Sequence, residues 1–139
     1  MNVLIHWTAL RRLSNMLWDV DRCLYVYLHP QRDQLLYVGK ADYCTVRQRM
    51  RGDHKDHLFY ELSSHYKYPV GTHPRVLQGD LELPIGQRFS SALLHDIESL
   101  LIRRLDPWGN INRGQHWRPG LQVDCVGVWP LRRSRFRDS

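Results

Sequence analysis

The stretch LLYVGKADYCTVRQRMRG, residues 35–52, brings Tyr37, Gly39, Lys40, Arg47 and Arg51 close together, and a second block, ESLLIRRLDPWGN, opens on Glu98 and closes on Asn110. These side chains have complementary chemistry. A guanidinium presents a planar fork that pairs with phosphate oxygens, and a lysine supplies a compact point charge. A phenol can hold or accept a proton once nearby cations lower its pKa from about 10. A carboxylate such as Glu98 is a hard oxygen ligand, and Mg²⁺ commonly takes only one or two from a protein, completing its shell with water or a substrate phosphate. Together they are the parts needed to stabilise charge and move a proton at a phosphate ester.

Each of these residues needs an element to aim it. CLYVYLH, residues 23–29, is aromatic and β-branched, HPQRDQ supplies turn residues, and 35–40 reads as a second strand, so the two segments predict an antiparallel hairpin. With a side-chain period of two, Tyr25 and Tyr27 share one face, as do Tyr37 and Gly39. Asp42 is a candidate cap for a helix over 43–51, with Arg47 and Arg51 one turn apart and Gly52 ending it. A further helix is expected over 57–64, and strand with turns around 75–83. Ser90 or Ser91 opens a long helix to Leu105 with the stripe Leu93, Leu94, Ile97, Leu100, Leu101 and Leu105, and Glu98 lies at its margin. LQVDCVGVW reads as a last strand. In residues 1–22, the spacing of Leu10, Leu13, Leu17 and Val20 predicts an amphipathic helix.

The 139 residues suit one domain of mixed α and β structure, an α+β fold whose small central antiparallel sheet is flanked by helices. The net charge of +6 and pI near 9.5 favour a polyanionic partner, and seventeen arginines against three lysines fit nucleic acid. Arg132, Arg133 and Arg135 fall in a basic tail, read as an arm that tracks a nucleic-acid backbone or as a solubilising end, with the arm favoured. Cys23, Cys44 and Cys125 form no CxxC pair, which argues against a disulfide framework and makes a reducing cytoplasm the default. No run reaches the roughly 18 apolar residues of a membrane span. His54 and His57 sit in DHKDH, which we read as a loop; without a cysteine pair or HExxH they do not indicate zinc.

Taken in order, these features resemble the GIY-YIG nuclease superfamily. Its two signature halves correspond to Cys23-Leu24-Tyr25 and Tyr37-Val38-Gly39, and its arginine eight positions past the second glycine to Arg47. Its glutamate and asparagine correspond to Glu98 and Asn110, and YVGKA is closest to the excision-repair branch, where a lysine follows the glycine as Lys40 does here. The resemblance covers residues 23–112, leaving 1–22 as an N-terminal helical extension and 113–139 as a C-terminal extension. It implies a DNA endonuclease with one Mg²⁺ or Mn²⁺ held by Glu98. Tyr25 would be the general base, with Tyr27 its rival, and Tyr37 would orient water or phosphate. Lys40 and Arg47 would supply positive charge, Gly39 and Asn110 would support the site, and Arg51, His54 and the tail arginines would contact substrate. A homodimer is one way to cut both strands. Cys23 replaces the first signature glycine, and Arg51 stands where the family often has a histidine or tyrosine, so a second proton-transfer group is missing there.

Overall fold

The computed structural model describes residues 1–10, 16–114 and 116–138. Ten principal elements follow one another: β1 (Asn2–Leu10), a single 3-10 turn (Met16–Asp19), β2 (Cys23–Leu28), β3 (Leu35–Ala41), α1 (Val46–Arg49), α2 (Asp53–Tyr66), β4 (Arg75–Glu82), α3 (Ser91–Leu105), β5 (Gln122–Gly127) and β6 (Arg135–Arg137). The strands form one sheet in the order β3-β2-β4-β1-β5-β6. Among the described residues only the β1–β5 pairing is parallel. The class is mixed α+β, as expected, but the sheet is neither small nor wholly antiparallel.

The largest difference from expectation is at the N-terminus. Residues 2–10 are not helical; they form a strand between β4 and β5, in the middle of the sheet. Val3, Ile5 and Trp7 are buried and alternate with less buried neighbours, the period of a strand, whereas the helical spacing rested on Leu10 and residues beyond it. Leu13 lies outside the described residues. The C-terminal segment is likewise not a free arm, because β6 pairs with β5 and Phe136 is fully buried. Strands from outside 23–112 therefore share one sheet with those inside it.

Two cores lie on opposite faces of the sheet. Leu24, Val26 and Leu28 of β2 face the core built on Leu93, Leu94, Ile97, Leu100 and Leu101 of α3. Cys23, Tyr25 and Tyr27, pointing the other way by alternation, face Val46 of α1 and Leu62 of α2. Burying one such aliphatic side chain is worth about 1.5–3 kcal/mol, so the stripe on α3 is what fastens Glu98 to the sheet. Ser90 caps α3 by accepting a hydrogen bond from the Leu93 N–H at 3.0 Å.

The other helices begin elsewhere than the sequence suggested. Asp42 caps nothing; α1 starts at Val46 behind a Thr45–Gln48 capping box, after Tyr43 turns the chain at φ 59°. Gly52, expected to end the first helix, instead precedes α2 at φ 99°, a backbone region that suits glycine. The helix expected over 57–64 therefore runs from Asp53 to Tyr66, so His54 and His57 are helical, not loop, residues.

Candidate active site

The β2–β3 register sets Tyr25 opposite Gly39 and Tyr27 opposite Tyr37. Gly39 is required by packing: a Cβ there would sit 2.4 Å from Tyr25 Cζ and 2.5 Å from its Oη. The Tyr25 ring lies across the space a side chain would fill. Three phenols cluster as a result, with ring centroids 5.4 Å apart for Tyr25 and Tyr27, 6.1 Å for Tyr25 and Tyr37, and 5.2 Å for Tyr27 and Tyr37.

Over this cluster lies Lys55 of α2, which sequence reasoning missed. Its Nζ donates to Tyr25 Oη at 3.0 Å and stands 4.3 Å from the centroid of the Tyr37 ring and 5.2 Å from those of Tyr25 and Tyr27. Lys55 is only 6% exposed. Burial, aided by the Arg49 charge and opposed by Glu98, pushes its pKa down to about 8. The signal was present: Lys55 and Leu62 are seven residues apart on one helix face, so a cation occupies a position in an apolar stripe.

Glu98 reaches this region from α3, where its charge bears on the titration of Tyr37 and Lys55. Burial pushes Glu98 above the usual carboxylate range, while the charges of Lys40, Arg49 and Lys55 pull it back. Among the described residues its carboxylate makes no hydrogen bond or ion pair. Glu98 and Tyr37 line a cleft of about 230 Å³ together with His54, His57, Glu61 and Asn110. His57 Nε2 and Glu61 Oε1 are 2.9 Å apart at this cleft.

Of the two signature phenols, Tyr37 lines the cleft, while Tyr25 is 1% exposed behind it. Burial raises the pKa of both, and the Tyr27 and Tyr37 phenols raise that of Tyr25 further. For Tyr37 the Tyr25 phenol works in the opposite direction, pulling its pKa down. Tyr27 is buried as well and does not line the cleft. The expectation that cations dominate at Tyr25 therefore meets a stronger opposing effect, desolvation.

Asn110 is hydrogen-bonded into the edge of the sheet. Its Oδ1 accepts from the Val38 N–H at 2.9 Å and its Nδ2 donates to the Val38 carbonyl at 2.8 Å, so one amide stands in for a neighbouring strand. The Gly109 N–H bonds the Leu36 carbonyl at 2.9 Å beside it. Lys40, on the opposite pleat from Tyr37 and Gly39, has its Nζ 3.1 Å from His95 Nδ1 on α3.

Arg47 points elsewhere. Its Nε donates to Asp19 Oδ1 at 2.9 Å, and with Arg51 it lines a separate hollow beside Trp18 and Phe59. Arg49 is the α1 guanidinium whose charge bears on Tyr25, Tyr37, Lys55 and Glu98. The reason is helical geometry. At 100° per residue from buried Val46, Arg49 lies about 60° from the inward direction and Arg47 about 100° from it. Recognising the Thr45–Gln48 box in the sequence would have set that phase. Arg132 is exposed, and Arg133 and Arg135 lie at the β6 edge of the sheet.

Among the described residues no group of three or more His, Cys, Asp or Glu side chains is disposed to hold a metal. A single unpartnered carboxylate nevertheless fits the donor count Mg²⁺ or Mn²⁺ asks of a protein when substrate and water supply the rest. No protein-family model, curated protein or solved structure matches this chain. No helix among the described residues is long and apolar enough to cross a membrane.

Proposed function

We propose that this chain is a metal-dependent endonuclease that hydrolyses DNA phosphodiester bonds through a GIY-YIG-like single-metal site, with Glu98 holding Mg²⁺ or Mn²⁺. One observation carries the reading: an unpartnered carboxylate from a helix some sixty residues away meets the tyrosine hairpin amid three cationic side chains. When bound, the ion supplies Lewis-acid polarisation of the scissile phosphate. The chain's own residues do the rest. Tyr37 orients water in the cleft, whereas Tyr25 is sealed behind it; burial raises the pKa of both phenols, so Tyr37 would take the expected proton-accepting role only where the neighbouring cations offset that burial. Arg49 and Lys40 supply positive charge for the phosphate oxygens, with Arg49 replacing Arg47. Gly39 and Asn110 hold the Tyr25 ring and the β3 backbone in place. His54 lines the cleft and would contact substrate there, whereas Arg51 lies with Arg47 in the separate hollow and takes no part at the cleft. The free cysteines Cys23, Cys44 and Cys125 suit a reducing cytoplasm. A double-strand cut takes two protomers or two encounters.

A second reading keeps the fold and DNA binding without turnover. It is favoured by the engagement of Arg47 with Asp19 and by burial that raises the phenol pKa values. Supercoiled plasmid and branched DNA incubated with Mg²⁺ or EDTA separate the two. The nuclease reading expects cleavage that needs Mg²⁺ and is lost in Glu98→Gln, with DNA binding retained. Metal-independent cutting, or equal cutting by both proteins, removes the proposed mechanism, and binding with no cutting favours the second reading.

A further inference from the structure

The segment RSRFR, residues 133–137, is more ordered than a basic tail. Ser134 and the strand β6 pair with β5, the Cys125 N–H bonding the Ser134 carbonyl at 2.8 Å. Phe136 is fully buried against the α3 core. By alternation Arg135 and Arg137 then share the other side, and together with Arg133, just ahead of the strand, they line one open furrow of about 560 Å³. Its remaining lining is Arg103 and Arg104 from the last turn of α3, so among the described residues the furrow is lined by arginine alone.

Several of these heads are held in place. Arg104 donates through Nε to the Arg137 carbonyl at 2.9 Å and through Nη2 to the Asp138 carbonyl at 2.7 Å, and its guanidinium lies 5.5 Å from the Trp117 ring. Arg135 Nε donates to Asp124 Oδ1 at 2.7 Å, and the Arg133 guanidinium lies 5.0 Å from the Phe136 ring. These contacts use one or two of the five N–H donors each guanidinium carries, leaving the others for a ligand. The carboxylate of Asp138 is engaged elsewhere, by Trp117 Nε1 at 2.7 Å and the Gly120 N–H at 2.8 Å. Five like charges thus converge; among the described residues Asp124 is ion-paired with Arg135, and the charge of Arg104 bears on Asp138.

We propose that Arg133, Arg135 and Arg137 form a comb that binds the phosphodiester backbone of a nucleic-acid strand, with Arg103 and Arg104 as the facing wall. Alternate residues of a strand repeat at about 6.6 Å, a spacing comparable to that of successive phosphates on one strand. Guanidinium forks rather than ammonium groups match that ligand. Charge on an edge strand also discourages pairing with another chain, but that purpose needs no facing arginines. The comb deepens the nucleic-acid part of the proposed function without depending on catalysis. Arg103 and Arg104 lie five and six residues beyond Glu98 on α3, about 8–9 Å along its axis, so one helix carries both sites.

The test is binding of a fluorescent 20-base-pair duplex to the full chain in EDTA, by anisotropy across a salt series. Arg133→Gln/Arg137→Gln changes exposed heads and leaves the anchored Arg104 and Arg135 in place; Arg32→Gln/Arg88→Gln removes equal charge elsewhere. We expect the comb pair to weaken binding about 10- to 100-fold near 0.1 M salt and to lower the salt slope by nearly two, with the control pair causing far less. Equal loss in both pairs, or none in the comb pair, overturns the proposal, as does polyglutamate competing as well as unlabelled DNA. Cleavage by the wild-type chain is scored separately. Its absence with the comb effect intact counts against the nuclease reading alone, and cleavage with binding unchanged in the comb pair counts against the comb alone.

Discussion

Replacing Lys55 with methionine tests the central electrostatic feature of the tyrosine cluster. The ordinary lysine value is 10.5, and in the folded protein Lys55 falls to about 8. At about 1.4 kcal/mol per pH unit, holding the protonated amine in its buried position costs about 3 kcal/mol at neutral pH. Between about pH 8 and 10.5 the unfolded chain keeps a proton that the folded chain has shed, so wild-type stability rises with pH through that window. About 2 kcal/mol of the rise falls between pH 7 and 9.5. Lys55→Met has no such proton. It also loses the hydrogen bond to Tyr25 Oη, worth about 1 kcal/mol, but that loss is nearly constant with pH. The groups facing the amine, Tyr25, Tyr27, Tyr37, Arg49 and Glu98, remain in both proteins and largely cancel from the difference. Urea denaturation of both proteins at pH 7 and 9.5 measures the quantity directly. The wild type should gain about 2 kcal/mol on the variant as the pH rises. A stability difference that stays flat with pH would refute the claim that this amine is buried with a lowered pKa, whichever protein is the more stable overall.

Two further substitutions probe the scaffold. Gly39→Ala forces a methyl group into the space of the Tyr25 ring and should cost about 1–3 kcal/mol in chemical denaturation, with an altered near-ultraviolet tyrosine dichroism; an unchanged spectrum and midpoint would show that the ring is not held there. Asn110→Leu strips both partners from the Val38 backbone and should cost about 3 kcal/mol while speeding amide exchange at Val38, and slow exchange in the variant would refute the strand-like role of the amide.

The hairpin and α3 were legible because their signals are local. Alternating aromatics, turn residues, a serine cap and a long apolar stripe each act within a few positions, and Glu98 could be placed at the stripe's margin from periodicity alone. The site was less legible where helix phase decided it. Arg47 and Arg49 are two residues apart, and a start at Val46 rather than Tyr43 sets the phase that decides which charge bears on the phenols. Lys55 was hidden for a related reason, since placing the α2 start at His57 left it in a loop. The sheet's middle was illegible for a different reason. β1 pairs with β4 and β5, so nothing near residues 2–10 announces its partners, and the short helical spacing further along was misleading.

That placement of β1 has a consequence for biosynthesis. β1 is made before both of its sheet neighbours, β4 on one side and β5 on the other, and β5 begins at Gln122. Val3, Ile5 and Trp7 wait until residue 122 has been made before both neighbours begin to exist. Closing so long a loop is slow compared with joining adjacent segments, and in the interval an apolar strand has open edges. β1 is therefore among the last strands of the sheet to be secured on both edges, and nascent chains ending short of residue 122 carry it with an unshielded apolar edge open to chaperones.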